Sequence, residues 1–229
     1  ERSALVTTGL YSRVRHPIYT GLLIVGLGLV VLGSSVVHIV LWLALLVLLM
    51  LGAGASAQAM SQWASAYAQA GLGLSKTAGD LLGPMGFAVA MGLSRVLLGT
   101  RATVSNVRGI MQLSLAACIV AYLLAWLGPW PWLGLVGVML CGFSVGMLWP
   151  GTFTVGSSEF PRGGTAMFAL LALGGDAGCG LGPFVVGAAA DRFGSLQSAL
   201  GVGVVFPAAM LIGLLVLGRV HRARAHSAA

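Results

Sequence analysis

A chain of 229 residues that is 58% hydrophobic and only 7% charged is too apolar for a soluble domain of that size. Its net charge of +7 sits between and beyond the apolar stretches, with no basic aromatic module, which points to membrane topology and lipid contact and away from a nucleic-acid partner. Cys118, Cys141 and Cys179 lie inside apolar runs without metal-ligand spacing or a paired framework, so no metal site and no disulfide scaffold are expected.

The chain opens at Glu1 without a methionine or a signal-peptide pattern and reads as a piece of a longer protein. Residues 1–17 are polar and basic, with Arg2, Arg13, Arg15 and His16, and Pro17 opens an apolar run to Leu32. Gly33-Ser34-Ser35 ends that run, and a second extends from Val36 to about Ala57, continuing as an amphipathic stretch from Gln58 to Gln69. A loop with Gly71, Gly73 and Lys76 follows, then predicted spans at about 79–98, 110–127, 132–156, 165–189 and 198–218. The loop 128–131 is tight and carries an interfacial aromatic, Trp130.

The basic residues orient these spans. Arg95, Arg101, Arg108, Arg162, Arg219, Arg222 and Arg224 fall on one side, against Lys76 and Arg192 on the other. The positive-inside rule then places the 99–109 loop, the 157–164 loop and the C-terminus in the cytoplasm, as expected for an integral protein of a bacterial inner membrane. The N-terminal segment conflicts with this count if 18–32 spans. About sixteen residues give roughly 24 Å of helix against a core of roughly 30 Å, so a shallow dip removes the conflict.

Asp176 is the residue around which the functional reading is organised. It lies near the middle of an apolar stretch of spanning length. A charge there costs about 2.5–3.5 kcal/mol on insertion scales and normally faces a bundle interior or a wet cavity. Gly174, Gly178 and Gly182 recur every four residues and predict a smooth packing face. Pro183 predicts a local break. A second stretch shares this pattern: Gly79-Asp80, Gly83-Pro84, Gly92, Gly99 and Arg101 echo Gly175-Asp176, Gly182-Pro183, Gly187, Asp191, Arg192 and Gly194. The copies lie three spans apart, which is the spacing of an inverted three-helix repeat with a binding site at its interface. Chance recurrence in a chain with 35 glycines is the alternative.

Residues from about 45 to 220 resemble the C-terminal six-helix half of a major facilitator superfamily transporter. The stretches that carry the resemblance are 58–67, 71–80, Gly142 to Gly151 and Phe160 to Phe168. Gly92, Gly99 and Arg101 match the family's loop signature Gly-x-x-x-Asp-Arg-x-Gly-x-Arg, with Val96 at the acid position, and Gly187, Asp191, Arg192 and Gly194 match its first part. The resemblance implies alternating access around a midplane site for a small solute, gating at these two motifs, and a missing N-terminal six-helix half as partner. It implies no enzyme activity and no cofactor.

Residues 9–21 resemble the motif of the isoprenylcysteine carboxyl and phospholipid methyltransferases, carried by Gly9, Tyr11, Arg15, His16, Pro17, Tyr19 and Gly21. That resemblance implies an S-adenosylmethionine-dependent membrane enzyme with Arg15, His16 and Tyr19 at its site. The pair of acids that follows the family's hairpin is missing, since no Glu occurs between Glu1 and Glu159 and the first later acid is Asp80. The two resemblances imply opposite orientations, so a join of two unrelated coding pieces near 35–50, giving an inactive chimera, is a third reading.

The expected fold is therefore all-α: a polytopic membrane helix bundle, a six-helix half-transporter plus an N-terminal apolar helix. Residues 1–35 form the methyltransferase-like piece, 36–220 the transporter half and 221–229 a basic cytoplasmic tail. Candidate path residues are Asp176, Gln58, Gln62, Trp63, Asp80 and Trp149. Asp176 could carry a coupling proton, because a shielded carboxylate titrates upward. Each has an ordinary alternative. Asp80 can simply pair with Lys76 one turn away, the amides of Gln58 and Gln62 can be interhelical glue beside Trp63, and Trp149 before Pro150 can be interfacial rather than part of a broken, cavity-lining helix.

Overall fold

The structure, a computed structural model, describes residues 46–159, 161 and 163–227. Arg15, His16, Tyr19 and the whole segment 1–35 lie outside the described residues. Six helical rods make up the rest: α1 (46–72), α2 (Lys76–Gly99), α3 (Val107–Leu127), α4 (Pro131–Glu159), α5 (Gly164–Phe193) and α6 (196–227). Helices α2 to α5 and the Leu196–Gly218 part of α6 are long and apolar enough to cross a membrane. The described part of α1 is more polar, with Ser56, Gln58, Ser61, Gln62, Ser65 and Gln69 along it. Successive rods run in opposite directions through short connections, which is the only geometry such connections allow between neighbours.

Local chemistry sets the corners. Gly73 and Gly194 close α1 and α5 in the left-handed conformation, with φ of 63° and 66°, where a side chain would be strained. Ser75 and Ser195 then accept hydrogen bonds from the amides of Ala78 and Ser198, and so start α2 and α6. These two corners and the 128–130 turn share one end of the bundle. Trp126, Trp130 and Trp132 are exposed there, as interfacial aromatics would be. At the other, basic end, Asn106 orders the loop after α2 by accepting from the Thr103 amide and donating to the Arg101 carbonyl. Arg108 pairs with Glu159 across that end.

The α1 rod is the hub, packing on α2, α4, α5 and α6. Its seam with α5 is backbone against backbone. A Cβ added at Gly178 would sit 2.1 Å from the Leu51 carbonyl oxygen, one at Gly182 2.5 Å from that of Ala55, and one at Gly54 2.1 Å from that of Gly175. The predicted smooth face is thus real, and it lies against α1. A second seam joins α2 to α4, where a Cβ at Gly142 would meet the Phe87 carbonyl at 2.3 Å and one at Gly146 the Met91 carbonyl at 2.8 Å. A third joins α3 to α4 through Gly137 and Ala121. Bundles with apolar exteriors associate through such close packing, because lipid tails are no worse a solvent for Leu than another helix. The exteriors are indeed apolar: Val89, Leu113, Phe184 and Ile212 all point outward.

Prolines do not mark the breaks in the expected way. Helix α5 runs unbroken through Pro183 from Gly164 to Phe193, contrary to the predicted break. The lost hydrogen bond is tolerated because α1 grips α5 on both sides of it, at Gly178 and Gly182 and again at Gly187, which lies under the Trp63 ring. Pro84 sits instead in a π-helical turn, Leu81–Met85. Helix α4 breaks at Gly146-Met147, between Pro131–Val145 and Leu148–Glu159.

The seam between α1 and α5 can be tested directly. Gly178→Leu should lower the thermal midpoint of the detergent-solubilised chain, at a cost of about 1–3 kcal/mol or more from overpacking. Gly180→Leu, where nothing lies within 4 Å of the added Cβ, should leave it unchanged. Equal behaviour of the two variants in a thermal-shift assay would contradict the seam.

Candidate functional site

The polar groups of the interior form a spine along α1. Tyr122, fully enclosed on α3, donates its hydroxyl to the Ser56 carbonyl at 2.8 Å. The Cys141 thiol approaches the same oxygen at 3.8 Å and the Cys118 sulfur at 3.8 Å. Ser56 in turn bonds back to the Gly52 carbonyl at 2.6 Å, and Tyr67 donates to the Ala125 carbonyl at 3.2 Å. Buried hydroxyls must find acceptors, and helix carbonyls with a spare lone pair are what the packing offers. These bonds tie α3 and α4 to the hub. The cysteines therefore belong to a packed interior, and no group of three metal-ligating side chains occurs among the described residues.

The sequence candidates divide between interior, surface and ends. Trp63 is a tie rather than a wall: its indole Nε1 donates to the Pro183 carbonyl at 3.1 Å and its ring covers Gly187. Gln58 and Gln62 project from the outward side of α1. Asp176 also faces outward, in the stripe of α5 that includes Leu173, Gly180 and Phe184, and it makes no hydrogen bond or ion pair with any described residue. Trp149 lies beside it, with its ring over Gly175, edge-on to Phe153 at 6.1 Å; Phe153 continues to Phe168 at 5.4 Å. The contacts of Leu51 with Gly178 and of Trp63 with Gly187 serve as a depth gauge. They put Asp176 and Trp149 near mid-bundle, and Gln58 about two turns and Gln62 about three turns nearer the glycine corners.

Asp80 belongs elsewhere. Its carboxylate accepts from Ser65 Oγ at 2.6 Å and from Lys76 Nζ at 2.8 Å, while Gln69 Nε2 donates to Ser65 Oγ at 3.0 Å. This closes the corner between α1 and α2 at the end of the bundle. The two copies of the suspected repeat therefore differ in what their acids do.

The motif residues lie at opposite ends, as their spacing requires. Gly92 and Gly99 have open space where a Cβ would be, and Arg101 is exposed on the loop beyond them. Asp191 and Arg192 are exposed at the far end of α5, and Gly194 is that helix's left-handed terminator.

Arg95 was legible only as a topology signal, yet it does something local. Pro150 has no N–H to give the carbonyl one turn before it, that of Gly146. Arg95 Nε supplies the missing donor to that carbonyl at 3.3 Å. The guanidinium also sits at the C-terminal end of the first α4 segment, where a cation is favoured. The signal was available: an arginine inside a spanning stretch, and a proline whose i−4 carbonyl would need a partner. No protein-family model matches this chain, and neither a curated protein nor a solved structure does.

The Arg95–Gly146 bond makes a paired prediction. Arg95→Leu should destabilise the chain by about 1–3 kcal/mol, the usual cost of stranding a buried acceptor. Adding Pro150→Ala should recover most of the loss, since it restores a backbone N–H at position 150. A thermal-midpoint series of the two single variants and the double variant measures the coupling, and strict additivity would contradict it.

Proposed function

We propose that this chain is one six-helix bundle of a secondary transporter, carrying a small solute by alternating access against a second bundle of similar kind. The observation that carries the reading is the position of Asp176. A carboxylate stands in the middle of a membrane-length helix, on the outward face, without a hydrogen-bond or ion-pair partner among the described residues. Lipid is a poor neighbour for it, at about 2.5–3.5 kcal/mol. A second bundle enclosing a wet path is the neighbour that removes this cost. Gln58 and Gln62, outward on α1, give that path hydrogen-bonding groups at another depth, and Trp149 gives it a flat apolar wall near Asp176. The resemblance of 45–220 to a major facilitator half supports the same arrangement.

In this reading the protein is embedded in a bacterial inner membrane with the basic end and the C-terminus in the cytoplasm. Its partners are the bilayer, the solute and a second six-helix bundle, in the same longer chain or a separate one. It holds no cofactor and performs no covalent chemistry. Asp176 is the group available to take up a proton as the bundles rock. Gly92, Gly99 and Arg101 at one end, and Gly187, Asp191, Arg192 and Gly194 at the other, are where the second bundle would latch.

Cysteine accessibility separates a water-lined path from a lipid-facing surface. In a Cys179→Ala background, Asp176→Cys, Gln58→Cys and Gln62→Cys should react with a membrane-impermeant maleimide in right-side-out or inverted vesicles. Ile212→Cys, on the outer face of α6, should not. Equal inertness of positions 176 and 212 in vesicles containing the complete transporter would overturn the reading.

A further inference from the structure

The basic end holds a cavity of about 460 Å³ between the end of α2, the loop after it, the start of α3 and the second half of α4. Arg95 lines one wall, Thr103 and Thr154 add hydroxyls, and Val104, Val107 and Met147 supply apolar surface. No carboxylate lines it, and the nearby Glu159 is committed to Arg108. Arg95 is held by Nε on the Gly146 carbonyl, and its Nη2 meets only the Met91 sulfur, at 3.7 Å. The two terminal nitrogens therefore take no oxygen acceptor within the described residues. They form a fork whose shape matches a phosphate or carboxylate. Arg101 adds positive potential from the same loop.

We propose that this cavity binds an anionic phospholipid of the adjoining leaflet, with its phosphate on Arg95 and the first acyl carbons against Val104, Val107 and Met147. The walls choose between a lipid and a free anion. Inorganic phosphate gains nothing from an apolar lining, whereas Val104 is 67% exposed and would be covered by an acyl chain. Location chooses as well: the cavity opens at the end of membrane-length helices where the basic residues gather, and anionic lipid concentrates beside such residues. The proposal rests on the membrane reading above but not on transport. Its consequence is that a bound lipid would brace the α4 break through the arginine that caps it.

The full chain, reconstituted with equimolar phosphatidylglycerol and phosphatidylcholine and then extracted in mild detergent, should retain phosphatidylglycerol preferentially when its bound lipids are weighed by native mass spectrometry. Arg95→Gln should cut that preference about fivefold, the worth of one basic residue at a membrane surface. Ala102→Trp, which fills the cavity without touching the Gly146 bond, should cut it as well, while Arg101→Gln, which removes positive potential but no lining group, should cut it less than Arg95→Gln does. Glycerol phosphate in excess should not displace the lipid. Displacement would make this a free-anion site and overturn the proposal. So would loss of preference in Arg95→Gln with none in Ala102→Trp, or equal retention of the two lipids by the wild type. A chain that fails to float with the vesicles sinks this proposal and the membrane reading together, whereas floating with equal retention sinks the lipid site alone.

Discussion

Two helix backbones within touching distance hold this bundle together. At Gly178 and Gly182 the surface of α5 is bare main chain, and α1 lies directly on it, carbonyl oxygens included. Close approach multiplies dispersion contacts, which is the attraction left once the surroundings are as apolar as the helices. The other ties depend on that spacing. The Trp63 indole reaches the Pro183 carbonyl because α1 is close, and the Tyr122 hydroxyl reaches Ser56 because α1 is central. Which face of α5 turns outward is decided by the same contact. Once Gly178 and Gly182 face α1, Asp176, two residues before the first of them, has to face away.

Asp80, Arg95 and Asp176 all lie on helices of membrane length, and packing gives each a different fate. Asp80 is absorbed by a corner, held by Ser65 and Lys76. Arg95 replaces a donor that Pro150 lacks. Asp176 has no hydrogen-bond or ion-pair partner among the described residues. Burial cost alone marks all three as noteworthy, but only the last leaves that cost unanswered, which is why the functional reading rests on it.

The prolines teach a similar lesson about backbone. Pro84 widens one turn, Pro150 follows a break, and Pro183 leaves its helix unbroken. In α6, the amide of Phe206 takes the Gly203 carbonyl at 3.2 Å, the acceptor that Pro207 could not serve. A missing N–H always leaves one carbonyl to satisfy, but neighbours decide how.

Composition and periodicity were enough to establish an all-helical chain, the approximate positions of its membrane-length helices, the corner at 128–131 and the small-residue face of α5. Those features are written locally, in runs of apolar side chains and in glycines at fixed spacing. The boundaries moved by a few residues, because Ser75, Gly73 and Gly194 place caps that apolar runs do not show. The pairing of Asp80 with Lys76 one turn away was legible too, but tertiary structure decided what the other polar residues do. Trp63 became a tie and Arg95 a substitute donor, while Asp176 and the two glutamines were left on the outside. The reason is physical: a side chain's cost in an apolar setting can be read from its type, but what meets that cost at Trp63 and Arg95 is a carbonyl dozens of residues away, and only the packed helices bring the two together.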